Sequence, residues 1–150
     1  MNTNWPRWIS ASLNYHMDSG KSGVKLFIEG EKRITGTTAD RFELRTNGPF
    51  FNEVSAGVWR VELTVNLLVS CTMNKTDLYN LQRKIGISLG MMTSIPLYKY
   101  GTLTGIDDQT LFACMQLIEG PTVTQYGQVD PSVEVVQATV QGRYKTLLED

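Results

Sequence analysis

Two cysteines and a single histidine are all the soft metal-ligating side chains in these 150 residues. Cys71 and Cys114 form no CxxC pair and stand in no Cys/His cluster, so zinc-type ligand spacing is missing. They read as buried small hydrophobes in a reducing compartment. His16 has no nucleophile or carboxylate at a motif spacing, and nucleophilic catalysis needs one placed beside it. It reads as a partly buried structural histidine.

Other absences narrow the field further. Formal net charge is -1 and no stretch is rich in Lys or Arg. The electrostatic footprint of a nucleic-acid binder and the polybasic strip of a membrane-surface protein are therefore missing. No run of 18 apolar residues occurs, which excludes a spanning helix. Met1-Asn2-Thr3-Asn4-Trp5-Pro6 lacks the positive start and apolar middle of a signal peptide, so the expected compartment is a cytoplasm. Gly20-Lys21-Ser22 resembles the tail of a phosphate loop but lacks the preceding glycine at the required offset, and no GxGxxG occurs. Asp107-Asp108 has no third carboxylate or terminal Glu at calcium-loop offsets and reads as a solvated turn. No internal repeat, linker or low-complexity segment is visible. The expectation is a non-enzyme with no cofactor and no metal.

What is present is a chain sized for one domain, 1–150. Hydrophobic residues make up 41% and charged residues 19%. The charged share lies below the usual value of about 25%, so much of the surface is neutral polar or covered by a partner.

Trp5, Trp8, Ile9, Leu13 and His16/Met17 recur at helical spacing. Asn4 is placed as a cap and Pro6 falls in the first turn, so Asn4–Met17 is expected to be a helix. Val24–Ile28 and Arg41–Arg45 alternate as short strands, separated by a polar 30–40 loop. Asn47-Gly48-Pro49 signals a turn. Trp59, Val61, Leu63, Val65, Leu67 and Val69 then occupy every second position, opposite Arg60, Glu62, Thr64, Asn66 and Ser70. Only Leu68 breaks the pattern. Such alternation means a strand buried on one side. At about 3.3 Å per residue it spans nearly ~40 Å, about twice the usual length, which suggests a hairpin reaching beyond the domain body.

Asn74 and Asp77 precede a second apolar stripe, Leu78, Leu81, Ile85, Leu89 and Met92. Ile95–Tyr100 is a strand that Pro96 places at a sheet edge or at a strand start. A polar 102–109 loop leads to Leu111–Ile118, an apolar run expected to be central. Gly120-Pro121 turns the chain, Thr122–Gln128 forms another short strand, Asp130-Pro131 turns it again, and Val133–Leu147 is a last long strand. The expected fold class is α+β: a mixed, mainly antiparallel sheet with two helices packed on one face and an extended long-strand hairpin.

Trp5, Trp8, Phe50, Phe51 and Trp59 lack interleaved basic residues, so they suit core or protein-interface anchors better than a base-stacking platform. The outer face of the long strand (Arg60, Glu62, Thr64, Asn66) reads equally as plain solvated surface or as a subunit contact whose alternating signs suit register-setting between identical copies. The expected subunit or partner contact is Phe50, Phe51, Glu53, Arg60, Glu62 and Asn66.

Asn4-Trp5-Pro6-Arg7-Trp8-Ile9, Leu26-Phe27-Ile28-Glu29-Gly30, Phe42-Glu43-Leu44-Arg45 with Gly48-Pro49, and the Trp59–Val69 strand together have a familiar order. The helix from Asp77 follows. Tyr98-Lys99-Tyr100-Gly101, Gly127-Gln128-Val129-Asp130-Pro131 and Gln137-Ala138-Thr139-Val140-Gln141-Gly142-Arg143-Tyr144 complete it. Over nearly its whole length the chain resembles tail-terminator or neck-type minor tail proteins of tailed bacteriophages.

That resemblance implies a homo-oligomeric ring, commonly a hexamer, which caps the tail tube and joins it to the head–tail connector. The implied partners are further copies of the chain, the tail-tube protein and connector or adaptor proteins, with DNA passing through the lumen and no sequence-specific nucleic-acid contact or membrane. The implied location is the virion tail or neck, after assembly in the host cytoplasm. A head–tail adaptor or tail-tube subunit is the alternative, and a small-ligand-binding protein a more distant one.

Overall fold

The computed structural model describes residues 1–28, 40–72, 77–100, 110–130 and 135–150. Two helices, α1 (Trp5–Gly20) and α2 (Asp77–Met91), accompany six strands: β1 (Lys25–Ile28), β2 (Arg41–Ser55), β3 (Val58–Thr72), β4 (Ser94–Lys99), β5 (Thr110–Asp130) and β6 (Val135–Glu149). The strands form one sheet in the order β1-β2-β3-β6-β5-β4. All neighbours are antiparallel except β1 and β2.

The α+β expectation is overturned. Among the described residues strand accounts for 63% and helix for 25%, in one curled six-stranded sheet that forms a half-barrel, so the fold is mainly β. The physical reason lies in two Gly-Pro pairs read as turns. Gly48-Pro49 and Gly120-Pro121 instead sit at register shifts inside β2 and β5. The two glycines have φ of 103° and 92°, a region that side chains rarely adopt. A Cβ on Gly48 would lie 2.9 Å from the Glu62 carbonyl oxygen, and one on Gly120 2.7 Å from that of Gln141. Each glycine thus lets a bulge be absorbed without ending the strand. The expected Arg41–Arg45 strand runs on to Ser55 as a strand of 15 residues, and the expected Leu111–Ile118 and Thr122–Gln128 strands fuse into one of 21.

The long hairpin does not reach past the body either. β3 is paired along its whole length, with β2 on one side and β6 on the other. Leu111–Ile118 is not central: it lies in β5 beside the edge strand β4, with Leu111 and Ile118 exposed. The 30–39 and 102–109 loops, Asn74, Asp107, Asp108 and Pro131 lie outside the described residues.

Among the described residues the element order repeats, although the first strand pair is parallel in one half (β1–β2) and antiparallel in the other (β4–β5). Helix–strand–strand–strand occurs twice, and each half carries its Gly-Pro bulge in the long strand that precedes the innermost one. The innermost strands β3 and β6 join the halves in an unbroken antiparallel register from Val58–Glu149 to Thr72–Val135.

Both helices lie on one face. Trp5, Ile9, Leu13 and Met17 of α1 and Leu81 and Ile85 of α2 share a buried cluster with Val61, Leu63, Val65, Leu67 and Val69 of β3. Helix α1 packs chiefly on β4 and also reaches β1 at the opposite edge, which fits a strongly curled sheet. Asn4 precedes α1 without a side-chain cap bond. Ser12 Oγ accepts from Tyr98 N at 2.8 Å, tying α1 to the β4 backbone. Tyr144 donates to the Met92 carbonyl at 2.8 Å, tying β6 to the end of α2.

Candidate assembly surface

The opposite face of the sheet carries no described helix. Its rows are set by strand alternation: Arg60, Glu62, Thr64, Asn66 and Leu68 from β3, and Gln137, Thr139, Gln141, Arg143, Lys145 and Leu147 from β6. Polar cross-strand contacts run along it. Gln137 Nε2 donates to Ser70 Oγ at 3.1 Å, and the Tyr126 and Thr139 hydroxyls lie 3.2 Å apart. Arg143 holds Glu119 at 2.6 Å and approaches Glu62 at 3.8 Å. Near β1, the almost buried Glu43 meets Arg45 at 3.1 Å and Arg41 at 3.8 Å.

Four of the six expected contact residues share this face. Register places Phe50 opposite Glu62 and Asn52 opposite Arg60, so Phe50, Arg60 and Glu62 adjoin, with Asn66 further along β3. Phe50 is 57% exposed. The other two go elsewhere. Phe51 pairs with Val61 on the helix side, where it stacks on Trp5 at a centroid distance of 6.4 Å and an interplanar angle of 12°. Glu53 accepts from Gly57 N at 3.2 Å and serves the β2–β3 turn.

Sequence reasoning missed Arg143, Lys145 and Leu147. Lys145 lies opposite Glu62, and Leu147, 60% exposed, lies opposite Arg60. A cavity of about 310 Å³ between Arg60, Cys114, Gln116, Lys145, Thr146 and Leu147 opens here. Leu147 had a signal: it is an apolar residue in the outward-facing row begun by Gln137, Thr139, Gln141 and Arg143.

His16 Nε2 donates to the Met91 carbonyl oxygen at 2.8 Å, linking the two helices. The buried Lys84 ammonium meets Asp40 at 3.0 Å and Cys71 Sγ at 3.2 Å, so it is held beside a cavity of about 620 Å³ that Lys25 and Arg83 also line. Cys114 is exposed and unpaired by disulfide. Among the described residues, no group of three or more His, Cys, Asp or Glu could hold a metal ion, and no helix is long and apolar enough to cross a membrane. Burial pushes the Tyr144 hydroxyl well above the ordinary tyrosine pKa.

The chain matches no family model and no curated protein by sequence.

Proposed function

We propose that the chain is a virion structural protein of the tail-terminator or neck type, whose copies close into a ring that caps a tail tube and meets the head–tail connector. One observation carries this reading. Phe50, Arg60, Glu62, Lys145 and Leu147 form an uncovered patch of two large apolar side chains and three charges. Apolar anchors ringed by charges of both signs are suited to protein contact with a fixed register. Reactive groups convergent on a cleft, which an enzyme would need, are not gathered there. The resemblance in element order supplies the tail-terminator assignment.

Electron microscopy of the purified chain tests the reading. Closed rings of uniform diameter are expected. Long open tubes would favour the tail-tube alternative, because stacking without closure generates filaments. Only isolated globules at every concentration would remove the assembly reading.

A further inference from the structure

The sheet's edges are unequal, and the inequality points to how copies meet. Strand β4 covers β5 only over Thr110–Gln116. From Leu117 onward the outer side of β5 has no strand beside it among the described residues. Every residue from Ile118 to Gln128 is exposed, so this stretch is open on both faces as well as along its edge. Its run Thr122-Val123-Thr124-Gln125-Tyr126 is rich in strand-forming residues and contains no proline. An open edge of this kind is a template for adding another chain.

Charge selects the other side of the contact. Residues 117–130 contain two carboxylates, Glu119 and Asp130, and no Lys or Arg. Antiparallel pairing of this stretch with its own copy over its full length would set Leu117 opposite Asp130 and Glu119 opposite Gln128, so self-pairing brings no cation opposite either carboxylate. The far edge of the sheet has the opposite sign. Lys25, Arg41, Arg45 and Lys84 stand there against two carboxylates: Glu43, which meets Arg41 and Arg45, and Asp40, which meets Lys84. The remaining edge, β4, has its backbone at Tyr98 engaged by Ser12 of α1.

Register adds the geometry. Lys25 pairs with Arg41, Arg41 with Ser70, Ser70 with Gln137 and Gln137 with Gly127. The basic edge and the open acidic edge therefore share one row, on opposite sides of the same sheet. Both can be used at once by copies related through rotation with little axial shift, the condition for a head-to-tail ring rather than a spiral.

We infer that the open edge of β5, Leu117–Asp130, docks against the basic β1–β2 edge of the next copy of this chain. This rests on the assembly reading above and adds its contact and polarity. The partner is a second copy presenting Lys25, Arg41 and Arg45. The contact is heterologous, so each copy gives one edge and receives the other.

Thiol crosslinking with a short bis-maleimide, in a Cys114→Ser background, tests it. Lys25→Cys and Gln128→Cys are made singly and together in the full chain. Each single variant alone is expected to give no covalent dimer. An equal mixture is expected to give dimers and nothing larger. The double variant is expected to give a ladder of multiples that stops at the ring's copy number. Covalent dimers from either single variant alone would show a twofold contact and overturn the inference. An oligomer by native mass whose double variant yields no ladder would overturn this contact while leaving the assembly reading intact. A monomer by native mass would sink both. Amide exchange on the unsubstituted chain guards against a variant that fails to assemble. Thr122–Gln128 amides should exchange markedly slower in the oligomer than in the diluted monomer, and equal rates would overturn the contact.

Discussion

The two faces of β3 place residues one step apart in very different surroundings. Val61, Leu63, Val65, Leu67 and Val69 are buried under the helices. Arg60 is exposed, and Glu62, Thr64, Asn66 and Leu68 are half-buried on a face without a described helix. The first set holds the fold together by removing apolar area from water. The second is left half-covered only by its neighbours in the sheet, and is available to a partner. Stability and assembly are thus assigned to alternate residues of one strand, and substitutions can separate them.

The largest effect should come from the covered face. Leu67→Ala deletes a fully buried side chain and should lower unfolding free energy by about 2–5 kcal/mol in chemical denaturation. Asn66→Ala, its neighbour on the other face, should stay within about 0.5 kcal/mol. Equal costs at the two positions would erase the distinction between faces.

Phe50 and Phe51 repeat the comparison on β2. Phe51→Ala loses the stack on Trp5 and should cost about 1–3 kcal/mol, less than the ~3–5 kcal/mol of a fully buried aromatic because Phe51 is partly exposed. Phe50→Ala should leave the thermal midpoint nearly unchanged while weakening assembly in sedimentation.

Alkaline pH probes the covered face in a different way. Burial raises the folded-state pKa of Tyr144 above the unfolded value near 10. The contribution is therefore fully present below about pH 10 and declines above it, because the unfolded chain releases the proton first. The slope for one such group is about 1.4 kcal/mol per pH unit. Burial also raises Tyr100, so Tyr144→Phe should reduce the alkaline slope without abolishing it. Denaturation midpoints between pH 9 and 11, values chosen around the usual tyrosine pKa of about 10, check this.

How far the fold could be read from the sequence follows from which signals were local. The period-2 row from Trp59 to Val69 and the helical stripe from Trp5 to Met17 depend on burial by one face, and both elements stand where periodicity put them. Pro96, which cannot donate to a ladder, left an edge or a strand start open, and it lies in the edge strand β4. The Gly-Pro pairs misled because the same dipeptide serves a turn or a bulge, and only the neighbouring strand decides. In β2 that neighbour is the Glu62 carbonyl, and in β5 the Gln141 carbonyl. The internal repeat was invisible for a related reason: element order and bulge position are shared between the halves, while side chains are not.

The contact surface was legible in part. Alternation put Arg60, Glu62 and Asn66 on the outward row. Phe51 and Glu53 were included by nearness along the chain, although pairing with Val61 and Trp59 turns them to the other side. Lys145 and Leu147 join the patch only through the β3–β6 register, a pairing of residues more than eighty positions apart, which no local pattern carries.

A small effect on stability is also expected of Glu62→Lys. Its ion pair with Arg143 is exposed and long at 3.8 Å, and exposed pairs contribute about 0–1 kcal/mol. The new lysine would sit opposite Lys145 of its own sheet, a like-charge pair costing up to about 1 kcal/mol, so the midpoint should fall only slightly, while the oligomer dissociates more readily because the patch loses its one carboxylate. A variant that assembles as tightly as the parent would remove Glu62 from the contact.

Native mass spectrometry of the unsubstituted chain, across a range of micromolar concentrations, asks the central question most directly. A single closed multiple of the chain mass, constant in copy number as concentration rises, is the predicted result. A chain that remains one copy per particle throughout would contradict the account.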